Sequence, residues 1–167
     1  SINAVVDSVT CFGDQDGGIF ATGATTFNIP NGTPDLPYTF QWSDGLPSVD
    51  DQTTTEVGNL GPGVYFLTMT DDVGCEVVDS FEVFEPAELV LDLIEVTNET
   101  CTTGNDGSAT LTITGGVQPY SYEWSHDLML NDSIATGLSA GNYSVLITDA
   151  NGCTRMGNYT VQAPTPP

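Results

Sequence analysis

Cysteines and a dense set of oxygen-bearing side chains are the groups in this sequence with chemistry to offer. Cys11, Cys75, Cys101 and Cys153 fall at equivalent places in two halves of the chain. An even cysteine count with no C-x-x-C pair points to disulfides formed in an oxidising compartment. Zinc is the weaker reading, because the single histidine, His126, has no counterpart in the first half. The acids point instead to calcium. Asp14 and Asp16 lie in a Gly-rich turn, Glu85 at the join of the halves, and Asp149 and Asn151 in the turn before the last cysteine. Such loops supply the carboxylate, amide and carbonyl oxygens that Ca²⁺ gathers in sets of roughly six to eight. No stretch fits the EF-hand template, and the same residue types also shape turns through their own backbone hydrogen bonds. Calcium is the one cofactor the sequence suggests.

Catalytic groupings are missing. There is no G-x-S-x-G, and one histidine in a duplicated chain cannot supply a repeated triad. Carboxylates this dense pair by chance, so their proximity does not argue for a glycosidase. No enzyme is expected. Lysine-based isopeptide crosslinks are impossible, because the chain has no lysine. Arg155 is the one cation against 23 acids, for a formal net charge of −22. Such a surface repels nucleic acid and anionic membranes, whose phosphates need Lys and Arg. Its self-repulsion suits surroundings rich in salt or Ca²⁺. No apolar run approaches the ~18 residues of a membrane span, so no membrane insertion is expected. Ser1 reads as the start of an excerpt from a longer secreted protein.

The positions of these residues are set by a tandem duplication. Trp42-Ser43, Leu60-x-x-Gly63-x-Tyr65 and Thr70-Asp71-x-x-Gly74-Cys75 return as Trp124-Ser125, Leu138-x-x-Gly141-x-Tyr143 and Thr148-Asp149-x-x-Gly152-Cys153. Cys11-x-x-x-x-Asp16-Gly17 returns as Cys101-x-x-x-x-Asp106-Gly107. The expected units are 1–86 and 87–167, joined by a short segment stiffened at Pro86. Helical periodicity is nearly absent. Alternating stretches rich in Val, Ile, Thr and Tyr predict strands near 4–10, 18–25, 37–43, 53–58, 64–71 and 76–84. The second unit gives 88–98, 107–114, 119–125, 132–137, 142–149 and 154–162. Positions apolar in both copies mark the core: Tyr38, Phe40 and Trp42 match Tyr120, Tyr122 and Trp124. Tyr65, Leu67 and Met69 likewise match Tyr143, Val145 and Ile147.

The fold expected is all-β: two immunoglobulin-like sandwiches stacked head to tail. A tryptophan on the third strand and a Gly-x-Tyr entering the penultimate one fit that layout. Trp42, Tyr65, Trp124 and Tyr143 are the structural core residues, with Tyr65 and Tyr143 as corner tyrosines. The layout leaves two cysteine pairings open. Pairing within units gives Cys11–Cys75 and Cys101–Cys153. A sandwich ~20 Å tall instead puts Cys11 and Cys75 at opposite poles, while a disulfide needs Cα atoms within ~7 Å. That geometry favours a staple, Cys11–Cys153, with Cys75 and Cys101 bonded to neighbouring repeats. The same junction would gather Asp14, Asp16, Glu85, Asp149 and Asn151 as a Ca²⁺ site.

Taken together these residues resemble the SprB repeat of giant cell-surface adhesins from gliding Bacteroidetes. The second unit carries the pattern nearly intact in Val96, Cys101, Asn105-Asp106-Gly107-Ser108-Ala109, Pro119-Tyr120-Ser121-Tyr122-Glu123-Trp124-Ser125 and Thr148-Asp149-Ala150-Asn151-Gly152-Cys153. The first unit departs from it at Gly18-Ile19, at an insertion over 29–35, and at Asp72-Val73-Gly74. The resemblance implies a structural segment of an extracellular adhesin or filament at a bacterial cell surface. It further implies export by the type IX system and a stiff spacer serving adhesion or gliding. Its partners would be neighbouring repeats, with glycans or surfaces beyond. Two alternatives stay open: a carbohydrate-binding module using the outward Phe20, Phe66 and Phe84, and a self-assembling filament or sheath subunit.

Overall fold

Period-two alternation of apolar and polar residues, broken by Gly, Asn and Asp, builds short strands wherever one face can be buried. A computed structural model describes residues 2–21, 39–43, 55–71, 74–100 and 104–164. Two compact units result, Ser1–Glu85 and Pro86–Pro167. The first contains β1 (Ala4–Asp7), β2 (Gly17–Ala21), β3 (Thr39–Ser43), β4 (Glu56–Leu60), β5 (Gly63–Thr70) and β6 (Glu76–Val83). The second contains β7 (Val90–Thr97), β8 (Gly107–Thr114), β9 (Ser121–Trp124), β10 (Ile134–Leu138), β11 (Gly141–Thr148) and β12 (Thr154–Val161). No helix occurs among the described residues. The expected spans over 22–25, 37–38 and 53–54, Tyr38, and the insertion at 29–35 lie outside the described residues.

Each unit folds into two antiparallel three-stranded sheets, in the orders β1-β2-β4 and β3-β5-β6, then β10-β8-β7 and β12-β11-β9. First, second and fourth strands share one sheet; third, fifth and sixth share the other. That division is the immunoglobulin-like one. In the first unit, Ile19 and Val57 from one sheet meet Trp42, Leu67 and Met69 from the other. Ala109, Leu111 and Ala135 meet Trp124, Val145 and Ile147 in the second. Both tryptophans are fully buried, and Tyr65 is buried, while Tyr143 is half-buried. Truncating a buried aromatic of this size costs about 3–5 kcal/mol, so each Trp anchors its sandwich.

The repeated Asp-Gly pair has a steric reason. A Cβ placed on Gly107 would sit 2.7 Å from the Leu138 carbonyl oxygen and 2.8 Å from a Val161 methyl. Gly17 meets the same obstacles, Leu60 at 2.9 Å and Val83 at 2.7 Å. Glycine is therefore required at the entry to β2 and β8, where the two sheets close together. Gly107→Ala is expected to destabilise the second unit by about 1–3 kcal/mol through overpacking. Urea denaturation checks it, and an unchanged midpoint would show that the sheets part at no cost.

The expected first strand over 4–10 stops at Asp7. The chain leaves the sheet because the Thr10 N–H turns to the Asp16 carboxylate at 2.9 Å. Val9 stays anchored, its N–H donating to the Phe84 carbonyl at 2.9 Å.

Candidate functional site

The residues singled out for chemistry sit in two turn types at opposite ends of each unit. One lies between β5 and β6, and again between β11 and β12. Here the Asp of Thr-Asp-x-x-Gly-Cys closes the hairpin. The Asp71 carboxylate accepts the Cys75 N–H at 2.8 Å, and its own N–H donates to the Cys75 carbonyl at 3.0 Å. In the second unit Asp149 Oδ1 accepts Cys153 N–H and Asn151 N–H, each at 2.9 Å. Asp149 Oδ2 takes Val117 N–H at 2.9 Å. Gly74 and Gly152 supply the positive φ these turns need, +85° and +89°.

The other turn follows the first strand of each unit. Asp16 accepts Thr10 N–H, and Asp106 accepts Thr100 N–H, both at 2.9 Å. The Thr100 hydroxyl also donates to Asp106. Hydrogen bonds from the threonine side chain, then from its backbone, hold both carboxyls below the usual aspartate range. Glu85 reaches the same turn, taking Gly13 N–H at 3.1 Å.

Of the candidate calcium ligands, Asp16, Glu85 and Asp149 thus act as acceptors for backbone N–H groups, while Asp14 donates its own N–H to the Cys11 carbonyl at 3.1 Å. Asp14, Asp16 and Glu85 belong to the first unit; Asp149 and Asn151 belong to the second. Asn151 contributes its backbone N–H, not a side-chain oxygen, to the Asp149 hydrogen bond. Among the described residues no three His, Cys, Asp or Glu side chains gather as a metal cage.

The cysteines differ in state. Cys11 and Cys153 are disulfide-bonded, whereas Cys75 is an exposed free thiol. Cys101 lies outside the described residues. The pairing Cys11–Cys75 is therefore corrected, and so is the assignment of Cys75 to a disulfide within this chain. The reason is the ladder of the first unit. Gly63 pairs with Val83 at one end of β5–β6, and Thr70 with Glu76 at the other. Val9 is tied to Phe84 beyond the Val83 end, so Cys11 lies at that pole, while Cys75 directly precedes Glu76. An eight-residue strand spans about 23 Å, far beyond the ~7 Å reach of a disulfide.

Both corner tyrosines bond back to the turn four residues upstream. Tyr65 donates to the Gly61 carbonyl at 2.9 Å and Tyr143 to Ser139 at 2.8 Å. Two features of the second unit escape single-residue reading. Glu99, only 6% exposed, receives Asn105 N–H and Ala140 N–H, each at 3.2 Å. Its equivalent in the first unit is the buried Val9. The signal that finds it is a paired change: Pro62, which has no N–H, stands where Ala140 stands.

The other is Tyr159, 7% exposed and stacked on Tyr143 at 5.4 Å, with an unpartnered hydroxyl among the described residues. Burial, then the neighbouring Tyr143, pushes its phenol up to about 12. The first unit has Phe81 at this place, opposite Tyr65. Tyr159→Phe is expected to stabilise the second unit by about 1 kcal/mol, by removing an unsatisfied buried hydroxyl. The folded-state pKa lies above the unfolded ~10, so this tyrosine's contribution is complete below pH ~10. It is lost as pH rises through about 12. Melting scans of both proteins between neutral and alkaline pH check this, the variant losing less. A destabilised variant would mean that the hydroxyl has a partner.

Outward side chains differ between the units. Phe20, Phe66 and Phe84 are exposed, whereas Thr110, Ser144 and Gln162 stand at the same places in the second unit. There, a shallow depression on the β9-β11-β12 sheet is lined by Ser125, Asn142, Tyr143, Ser144, Asn158, Tyr159 and Thr160. It carries no acid. Among the described residues no helix is long and apolar enough to cross a membrane.

Residues 93–128 match the SprB repeat family model, a stretch running from β7 past the end of β9. No curated protein matches the sequence. Among solved structures the chain is similar to a C-terminal 282-residue fragment of intimin, solved with the intimin-binding domain of the translocated intimin receptor. That match has 16% identity and a TM-score of 0.46, covering 98% of this chain and 63% of the other. Extracellular domains 3–5 of Drosophila OTK match at 14% identity and a TM-score of 0.44, over 99% of this chain and 62% of theirs. Murine CEACAM1b matches at 17% identity and a TM-score of 0.37, over 97% and 98%. The chain thus spans less than two thirds of the intimin and OTK chains.

Proposed function

We propose that this chain is a repeat segment of a secreted bacterial surface adhesin, a stiff spacer that holds a binding region away from the cell. The observation that carries the reading is the SprB repeat match at residues 93–128, set in a chain whose two units repeat one design. The absence of any lysine and the net charge of −22 fit a surface that stays soluble and avoids nucleic acid. Divalent cations enter this reading as counterions that relieve self-repulsion, with the Asp14–Asp16–Glu85 and Asp149–Asn151 turns as the places for them. Gliding and type IX export belong to the same proposal.

The test is surface labelling. Antibodies raised against the purified chain should stain intact producing cells, and external protease should remove the stain together with attachment to a solid surface. Staining that needs permeabilised cells would overturn the reading. A second function is favoured by the acid-free depression over Ser125, Asn142, Ser144, Asn158 and Thr160. In a chain this acidic, a patch of amides and hydroxyls beside the stacked Tyr143 and Tyr159 rings suits an uncharged polyol. A glycan array probed with the wild type and with Asn142→Ala decides that point, since a glycan ligand requires binding that the substitution weakens.

A further inference from the structure

Two strands of the second unit carry one pentapeptide, Gly-Asn-Tyr-Ser/Thr-Val, at 141–145 and again at 157–161. The β11–β12 register sets the two copies antiparallel about their own centre, with Tyr143 opposite Tyr159. The tyrosines stack at 5.4 Å and pack with the core. Alternation turns the flanking residues to the outer face, where Asn142 pairs with Thr160 and Ser144 with Asn158. Two amides and two hydroxyls thus stand in a local two-fold arrangement. They open on a depression of about 460 Å³, within the roughly 300–1,000 Å³ of small-molecule sites. The fold does not require them, because the first unit has Val64, Phe66, Ser80 and Glu82 at these places. The two halves differ in use. The Thr160 hydroxyl donates to the Asn142 carbonyl oxygen at 2.7 Å. Asn158 and Ser144 are the same pair on the other side of the two-fold, yet their side chains make no hydrogen bond among the described residues. Asn158 is exposed, with both ends of its amide open.

We propose that Asn158 is the specificity-determining residue of this depression, and that its amide reads two adjacent hydroxyls of an uncharged sugar. Its N–H donates to one hydroxyl oxygen, while its carbonyl oxygen accepts from the neighbouring hydroxyl. A carboxylate in its place could only accept, so the pair selects an amide. Asn142, with its oxygen taken by Thr160, has N–H groups left to offer and adds affinity without reading the pair. The inference rests on the glycan reading of the depression and narrows it to sugars with vicinal hydroxyls.

NMR titration of the full chain tests it, with the methyl pyranosides of glucose, galactose and mannose and the 3-deoxy and 6-deoxy analogue of each. Both analogues lose one hydroxyl, but only the 3-deoxy sugar loses every adjacent pair on the ring. The 6-deoxy sugar should bind like its parent, and the 3-deoxy sugar about tenfold more weakly. Asn158→Ala should bind the two analogues alike, with amide shifts away from the depression unchanged to show that it folds. Asn142→Ala should weaken both and keep the difference between them. The assignment falls if the wild type binds the two analogues equally, or binds neither, or if the preference survives Asn158→Ala. The glycan array still decides the glycan reading by itself, so the two failures are distinct.

Discussion

Asp149→Ala should damage the second unit about as severely as loss of its buried tryptophan, lowering its stability by about 3–5 kcal/mol. The carboxylate is 5% exposed and receives three backbone N–H groups, from Val117, Asn151 and Cys153. Hydrogen bonds to a charged acceptor contribute roughly 1.5–3 kcal/mol each, and donors left buried without a partner cost more than the bonds gained. Two of the bonds close the β11–β12 hairpin, while the third ties that hairpin to the segment before β9. Removing the side chain therefore unfastens two elements at once. Asp149→Asn keeps one acceptor oxygen and should lose roughly half as much. Hydrogen exchange resolved along β11 and β12 is the measurement. An alanine variant with unchanged protection would show that water replaces the carboxylate without penalty.

Glu99→Val should cost about 2–3 kcal/mol, even though valine is what the first unit uses at this place. The substitution leaves Asn105 N–H and Ala140 N–H without their acceptor. In the first unit the Ala140 position is Pro62, which has no N–H to satisfy. The two copies have thus reached different solutions to one contact. The double variant Glu99→Val, Ala140→Pro should recover at least half of the loss, because it imports the first unit's solution entire. A double-mutant cycle on melting midpoints measures the coupling. Additive effects would mean that Val9 and Pro62 are unrelated.

Much of this was legible because the chain carries its own comparison. Alternation placed the strands and the buried faces, since a strand hides every second side chain and both copies keep those positions apolar. The corner tyrosines followed from one Gly-x-Tyr seen twice. The opposite poles of Cys11 and Cys75 followed from strand count alone. Less legible were the acids. A turn aspartate that binds metal and one that accepts backbone N–H have the same residue type and the same glycine neighbours. Only distances separate Asp16 capping Thr10 from Asp16 as a ligand. Glu99 was invisible for another reason. A buried acid breaks the apolar pattern, and its meaning lies in a proline some fifty residues away in the equivalent pair. The Tyr159 hydroxyl was equally hidden, because tyrosine and phenylalanine bury the same ring.

The capping of Thr10 by Asp16, repeated as Thr100 by Asp106, has a consequence for life in acid. These two carboxyls titrate below the ordinary aspartate range. The caps contribute fully above pH ~4 and let go only as the pH falls through their own lower values. Strong acid, rather than mild acid, should therefore be needed to open these two turns.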